Sequence, residues 1–280
     1  MEIRRVAAVP QFMALAGEFL EAREAENNLI FGICSAILAD PTQYEAPPYF
    51  AVVLDRGRVV GAAMRTPPWR LVLADIDDPA ASEHLVADLA GEALPGMVGP
   101  SRSTGAFADA WRRAGGDARL SAHERAYRLR SVIAPRPAPG AMVRATVVHR
   151  PLIIEWLRAF NLEAMGTEPT QDLERAADRG INGVGRELWL WVDEGRPVSL
   201  AGVGGLTPRG IRIGPVYTPP EDRARGYASN LVAGVSQRQL DAGRQFVFLF
   251  TDLANPTANH IYQAIGYEPV VDMDEYSFDR

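Results

Sequence analysis

The feature that most constrains this chain is a turn grammar that occurs twice. Phe50–Leu54 (FAVVL) leads into Asp55-Arg56-Gly57-Arg58, an apolar run, Thr66-Pro67-Pro68-Trp69-Arg70 and then LVL. Leu188–Val192 (LWLWV) leads into Asp193-Glu194-Gly195-Arg196, the run VSLAGVGGL, Thr207-Pro208-Arg209-Gly210 and then IRIGPVY. The Asp-x-Gly-Arg turns stand 138 positions apart and the Thr-Pro pairs 141. Each half reads as strand, turn, strand, turn, strand, because glycine supplies the positive φ of a tight hairpin. Two hairpins in series at a nearly constant offset predict a tandem repeat of one fold. The break falls at Ala134–Gly140 (APRPAPG), where proline removes donors and bars both helix and ladder. The division is therefore a domain at 1–133, a Pro-rich linker at 134–140 and a domain at 141–280.

The rest of the second half extends the pattern. MVRATV (142–147) reads as an opening strand, and Ile154, Leu157, Leu162 and Met165 lie at helical spacing. Residues 168–181 predict a second, more polar helix. Helices are expected over Arg225–Ala242 and Pro256–Ile265, with the buried strand FVFLF (Phe246–Phe250) between them and one or two strands over 268–278. The order β, α, α, β, β, β, α, β, α, β predicts an α/β (α+β) mixed sheet in each half, mostly antiparallel and twisted, with helices on both faces.

Composition removes several classes of function. A net charge of −6 and a 47% hydrophobic content describe a globular chain. The charge argues against a protein built to hold nucleic acid, while leaving room for a local basic patch. Cys34 is the single cysteine, so neither an intrachain disulfide nor a cysteine metal cluster is available. His84, His123, His149 and His260 show no metal-ligand spacing. The first residues read as strand plus helix rather than a signal peptide, and no apolar run approaches a membrane span. The expectation is a cytoplasmic protein with no membrane partner.

The informative segment is Ile213–Ser229 (IGPVYTPPEDRARGYAS). A strand ends at Tyr217, Pro219-Pro220 breaks it, and a helix begins near Arg225. Unpaired amides and the helix dipole make such a start a site for phosphate or pyrophosphate. Gly226 allows close approach of an anion, Ala228 stays small, and Arg223 and Arg225 add charge. The same residues also suit an ordinary strand–loop–helix joint with solvated arginines.

Two patterns in order resolve that choice. Arg223-Ala224-Arg225-Gly226-Tyr227-Ala228 resembles the [Q/R]-x-x-G-x-[G/A] pyrophosphate loop of the GNAT N-acetyltransferase superfamily. Asn255-Pro-Thr-Ala258-Asn-His-Ile-Tyr262-Gln-Ala-Ile-Gly266-Tyr267 resembles that family's N-x-x-A-x-x-x-Y-x-x-x-G-[F/Y]. The resemblance covers roughly 142–280. It implies acetyl-CoA as co-substrate, no metal, and transfer of an acetyl group to a primary amine by direct attack in a ternary complex.

The resemblance also implies roles. The pantetheine arm would pair with strand backbone near Val216, Tyr217 and Thr218, with a bulge at Gly214-Pro215. The pyrophosphate would sit on amides of Ala224, Arg225, Gly226, Tyr227, Ala228 and Ser229. Asn255 would contact the cofactor, cap the next helix, or do both. Tyr262 would protonate the leaving thiolate as general acid, the alternative being core packing. Glu163, Glu168, Asp193 and Asp252 are carboxylates within rough reach of the acceptor, and none is assigned as base. The acceptor would be a small-molecule or peptide amine, and a homodimer stays open. A CoA-binding regulator without catalysis is the competing class.

The first half departs from the pattern. After LVLAD stands Ile76-Asp77-Asp78-Pro79, acidic and without glycine, and Trp111 aligns with Tyr262. The expectation is a degenerate domain without a cofactor site. Gly202-Val203-Gly204-Gly205 lies in a strand pattern and is no dinucleotide fingerprint. Trp156, Trp189 and Trp191 fit core periodicity.

Overall fold

The computed structural model describes residues 1–44, 46–166, 168 and 172–278. Packing groups them into two compact units that differ from a linear division at the linker. The first holds Met1–Tyr127, Phe250–Asn255 and Pro269–Arg280, the second Arg128–Leu249 and Pro256–Glu268.

In the first unit the order is β1 (Glu2–Val6), α1 (Val9–Glu21), α2 (Asn28–Ala39), β2 (Tyr49–Asp55), β3 (Arg58–Arg65), β4 (Leu71–Leu73), α3 (Pro79–Asp88), β5 (Gly96–Pro100), α4 (Ser101–Arg113) and β6 (Arg119–Leu129). The sheet runs β1-β2-β3-β4-β5, continues with β12 (Glu268–Ser277), and ends on β6. Alternation along the strands assigns the faces. Phe50 stacks 5.1 Å from Phe12 of α1, and Val52 opposes Ala62, so the even-numbered positions face α1. Val53 opposes Gly61, and a Cβ at Gly61 would lie 3.3 Å from Ala81, so the odd-numbered positions face α3.

The second unit repeats the order: β7 (Ala141–Arg144), α5 (Arg150–Met165), α6 (Leu173–Asn182), β8 (Arg186–Asp193), β9 (Arg196–Gly204), β10 (Gly210–Tyr217), α7 (Tyr227–Asp241), β11 (Phe246–Asp252) and α8 (Pro256–Ala264). Its sheet runs β11-β10-β9-β8-β7. Leu188, Leu190 and Leu200 pack with Ile153, Trp156, Leu157 and Ala177 under α5 and α6. On the opposite face the Arg238 guanidinium of α7 covers Trp189 at 4.9 Å. The duplicated hairpins match in detail. Arg56 and Gly57, and likewise Glu194 and Gly195, all have positive φ, the backbone of a type I′ turn. Each hairpin slips register just before its turn, at Val53/Leu54 and Trp191/Val192.

Some element limits differ from the sequence expectation. The buried stripe of α5 is Ile153, Trp156 and Leu157, one helical face, whereas Leu162 is exposed. Met165, expected on that stripe, lies outside the described side chains. The polar helix starts at Leu173 because the Asp172 side chain accepts from the Arg175 amide (3.0 Å). Residues 268–277 form a single strand, β12, within the one or two expected. Among the described residues no helix is long and apolar enough to cross a membrane.

Candidate functional site

The β10–β11 ladder is short. It runs from Gly210↔Phe246 to Arg212↔Phe248 and stops, while β10 continues to Tyr217. Between Ile213 and Val216 the pairing of β10 with β9 also shifts register, at Gly214-Pro215. Gly202 on β9 makes room: a Cβ there would stand 2.7 Å from the Gly214 carbonyl oxygen. The glycine run that resembles a nucleotide motif is thus partly a packing requirement of the bulge. Past Arg212, the β11 side of β10 is a parted edge.

Tyr217 itself is buried against Trp156 (6.0 Å), so this residue offers its backbone rather than its ring. The Ser199 hydroxyl bonds the Tyr217 carbonyl (3.2 Å) and the Thr218 hydroxyl (2.9 Å), fixing the strand end. A 3-10 turn at Pro220–Asp222 follows, and Ala224 and Gly226 take positive φ (62° and 82°). Gly226 is the N-cap of α7, which moves the helix start from Arg225 to Tyr227. Among the described residues the amides of Ala224, Arg225, Gly226, Tyr227, Ala228 and Ser229 donate to no acceptor. Six consecutive free N–H groups at a helix start are suited to donate hydrogen bonds to an anion.

Side chains far apart in sequence hold this loop. The Asp222 side chain is 1% exposed and takes both terminal nitrogens of Arg196 (2.6 and 2.7 Å). Arg196 therefore keeps the Asp222 carboxyl below the usual carboxylate range. Arg223 donates to the Thr218 carbonyl (2.9 Å) and to Glu163 (2.6 Å), so its charge is matched by α5. Arg225 lies 3.9 Å from Asp222. The Tyr227 hydroxyl donates to Asp193 (2.5 Å).

Sequence reasoning missed three of these partners. Arg196 and Asp222 stand 26 residues apart, and no local pattern marks them as a pair. Arg136 sits in the linker, whose carbonyls are bound by the second unit: Asn230 Nδ2 donates to the Arg136 oxygen (3.0 Å) and Trp191 Nε1 to the Pro139 oxygen (2.7 Å). The Arg136 side chain is exposed, next to the first turn of α7, with no ion pair among the described residues. The only sequence signal for it was an arginine inside a proline run.

Tyr262 lies on α8 with its ring edge-on to Tyr267 at 6.0 Å. The Tyr267 hydroxyl pairs with Ser236 (2.9 Å) on α7, so the phenol is braced against the helix that opens the loop. Burial pushes Tyr262 up to about 12, and the phenol is protonated at neutral pH. Gly266 closes the motif for a steric reason: φ is 104°, and a Cβ would approach the Ser131 carbonyl oxygen to 2.7 Å. Asn255 stands in the turn before α8, its amide donating to the Asp252 carbonyl (3.0 Å). Glu163 and Asp193 are occupied by Arg223 and Tyr227, and the Asp252 carboxylate accepts from the Ala254 amide (2.7 Å). Glu168 is exposed, 3.8 Å from Arg158.

The equivalent loop of the first unit is closed. The Asp75 amide donates to Asn27 (2.8 Å), the Ile76 amide to Ser103 (2.8 Å) and the Ala80 amide to Asp78 (2.9 Å). Arg23 and Arg102 each bind both Asp75 and Asp77. Trp111 is stacked on Phe278 at 4.6 Å. Among the described residues no group of three or more His, Cys, Asp or Glu is placed to hold a metal ion.

Comparisons with known proteins meet this geometry. Residues 194–276, which hold β9 to β12, match the model of the family described as FR47-like protein. A GNAT-family acetyltransferase from Colwellia psychrerythraea superposes with a TM-score of 0.60 at 11% identity, covering 100% of both chains. A tandem GNAT protein from the clavulanic acid biosynthesis pathway gives 0.59 at 14% identity, over 99% of this chain and 98% of that one. The chain has the tandem GNAT fold. A Drosophila protein gives a TM-score of 0.71 at 10% identity, over 99% and 98%. At these identities the shared property is the fold. No curated protein matches the sequence.

The tie between Asp222 and Arg196 carries a prediction. Asp222→Asn removes charge-assisted bonds worth about 1.5–3 kcal/mol. It is expected to lower stability by part of that amount and to weaken any anion held by the loop. Because the folded carboxyl is depressed, its stabilisation is complete above the unfolded value near ~4 and is lost as pH falls through the folded one. Urea melts of both proteins should therefore differ at pH 7 and converge as pH falls through the depressed folded value. An equal gap at every pH would assign the effect to packing alone.

Proposed function

We propose that the second GNAT unit, together with the linker, is an acetyltransferase that moves an acetyl group from acetyl-CoA to a primary amine. The observation that carries this reading is the run of free amides at 224–229 beside a parted strand edge. The amides fit a pyrophosphate, Arg225 and Arg136 add charge, and the β10 edge near Val216, Tyr217 and Thr218 fits an extended amide-bearing arm. The thioester supplies an activated acyl group.

The chain's own residues then supply position and a proton. An amine lone pair adds to the thioester carbonyl, the C–S bond breaks, and the Tyr262 hydroxyl gives its proton to the departing sulfur. The ammonium proton passes to water, and the tyrosinate takes a proton back from water, which restores Tyr262. The first unit, three of whose loop amides are already taken by side chains, is read as a degenerate domain that binds no coenzyme.

Calorimetry on the full chain tests both parts. CoA is expected to bind once per chain. Ala228→Glu, which favours the helix start but sets a carboxylate among the amides, should weaken binding at least ~10-fold, equal to 1.4 kcal/mol. Two sites per chain, or unchanged affinity in Ala228→Glu, would overturn the assignment. Free thiol released from acetyl-CoA across an amine panel separates enzyme from regulator: tight binding without turnover on any amine supports the regulator.

A further inference from the structure

A cavity lies in the first unit where β1, β2 and β3 meet the end of α3. Its volume is about 280 Å³, near the low end for ligand pockets of roughly 300–1,000 Å³. Pro47, Pro48, Pro67, Phe50 and Leu89 give it apolar walls. Prolines hold such walls rigid, so little ordering accompanies binding.

The charges in this pocket are unevenly matched. Arg5 is satisfied: its Nε donates to both Asp88 oxygens (2.9 and 3.1 Å), its Nη2 to the Asp88 carbonyl (2.5 Å), and its plane covers Tyr49 at 5.0 Å. The Tyr49 hydroxyl donates to the same carboxylate (2.7 Å). Glu92, at the rim, is 49% exposed and 3.8 Å from Arg5. Arg65 is different. Its Nε donates to the Trp69 carbonyl (2.7 Å), which pins the stem, and no carboxylate pairs with its remaining nitrogens among the described residues. Burial lowers its pKa, and the charge of Glu92, which acts the other way, only partly offsets this, the mark of a cation partly stripped of water and incompletely matched.

We propose that this pocket binds the carboxylate of a small apolar acid on Arg65. The planar guanidinium offers two parallel N–H groups that match a carboxylate. The acid's apolar body lies against the prolines, Phe50 and Leu89. Glu92 stands at the rim as the one unfavourable charge, so its removal strengthens binding of an anion.

The test uses the full chain and benzoate, with benzamide as its uncharged isostere. Benzoate at millimolar concentration should bind once per chain, at least tenfold tighter than benzamide, and unchanged by saturating CoA. Arg65→Met should reduce benzoate affinity at least tenfold with the melting temperature retained. Glu92→Gln should raise it several-fold, a gain that a structural role would not produce. If Arg65→Met does not fold, the Glu92→Gln comparison and the benzamide ratio decide. Equal binding of the two probes, displacement by CoA, no saturation by benzoate, or weaker binding in Glu92→Gln would each overturn the proposal.

Discussion

Tyr262→Phe is expected to lower kcat for acetyl transfer by about 10²–10⁴-fold, the usual worth of a positioned general acid. That range equals about 2.7–5.4 kcal/mol of barrier. The affinity for CoA should stay within about twofold, because the free amides at 224–229 are left untouched. The structure gives reason to expect a clean variant. The ring of Tyr262 meets Tyr267 through its edge, a contact phenylalanine keeps, and its hydroxyl has no hydrogen-bond partner among the described residues. Thermal stability should therefore hardly move. A phenol at about 12 also predicts no loss of kcat from this group between pH 7 and about 10. If kcat of the phenylalanine variant equals wild type while its melting temperature falls, Tyr262 is a packing residue and the acid lies elsewhere.

How much of this was legible beforehand depends on whether the signal was local. The element order of both halves, the paired Asp-x-Gly-Arg turns and the loop at 223–229 could be read because each rests on neighbours in sequence. Glycine at 57, 195 and 226 reports a positive φ directly. The acid-rich segment at 76–79 also announced that the first loop differs. Its partners did not announce themselves: Arg23 and Asn27 come from the α1–α2 connection and Arg102 and Ser103 from the start of α4, and nothing in their own surroundings marks them. The same holds for Arg196 and Asp222, and for the linker carbonyls bound by Trp191 and Asn230. A proline run read as a spacer is in fact held along the second unit, because its carbonyls remain free to accept even where its donors are missing.

Pairing partners of strands were the least legible feature, and β12 shows why that matters. A β-strand carries its alternation in its sequence but not the identity of its neighbour. The last strand of the chain pairs with β5, from Met273↔Pro100 to Ser277↔Gly96. Gly96 is required there: its φ is 154° and a Cβ would lie 2.0 Å from the Tyr276 carbonyl oxygen. Phe278 then enters the first core, parallel to Trp111 at 4.6 Å and to Phe107 at 6.3 Å, with its amide donating to the Pro95 carbonyl (3.1 Å). The C-terminal residues therefore stabilise a unit whose remaining sequence lies mostly some 150 positions earlier. Phe278→Ala is expected to cost about 3–5 kcal/mol, as for other buried phenylalanines. Set against a typical total of about 5–15 kcal/mol, that is a large share. Leu162→Ala, on the exposed face of α5, should change stability by about 0.5 kcal/mol or less. Truncation after Tyr267 removes all of β12 and bares the β5 edge, and the expected product is insoluble. Urea melts of the two point variants, with near-ultraviolet circular dichroism to follow Trp111, make the comparison. Equal small losses for both would mean that the end of the chain does not secure the first core.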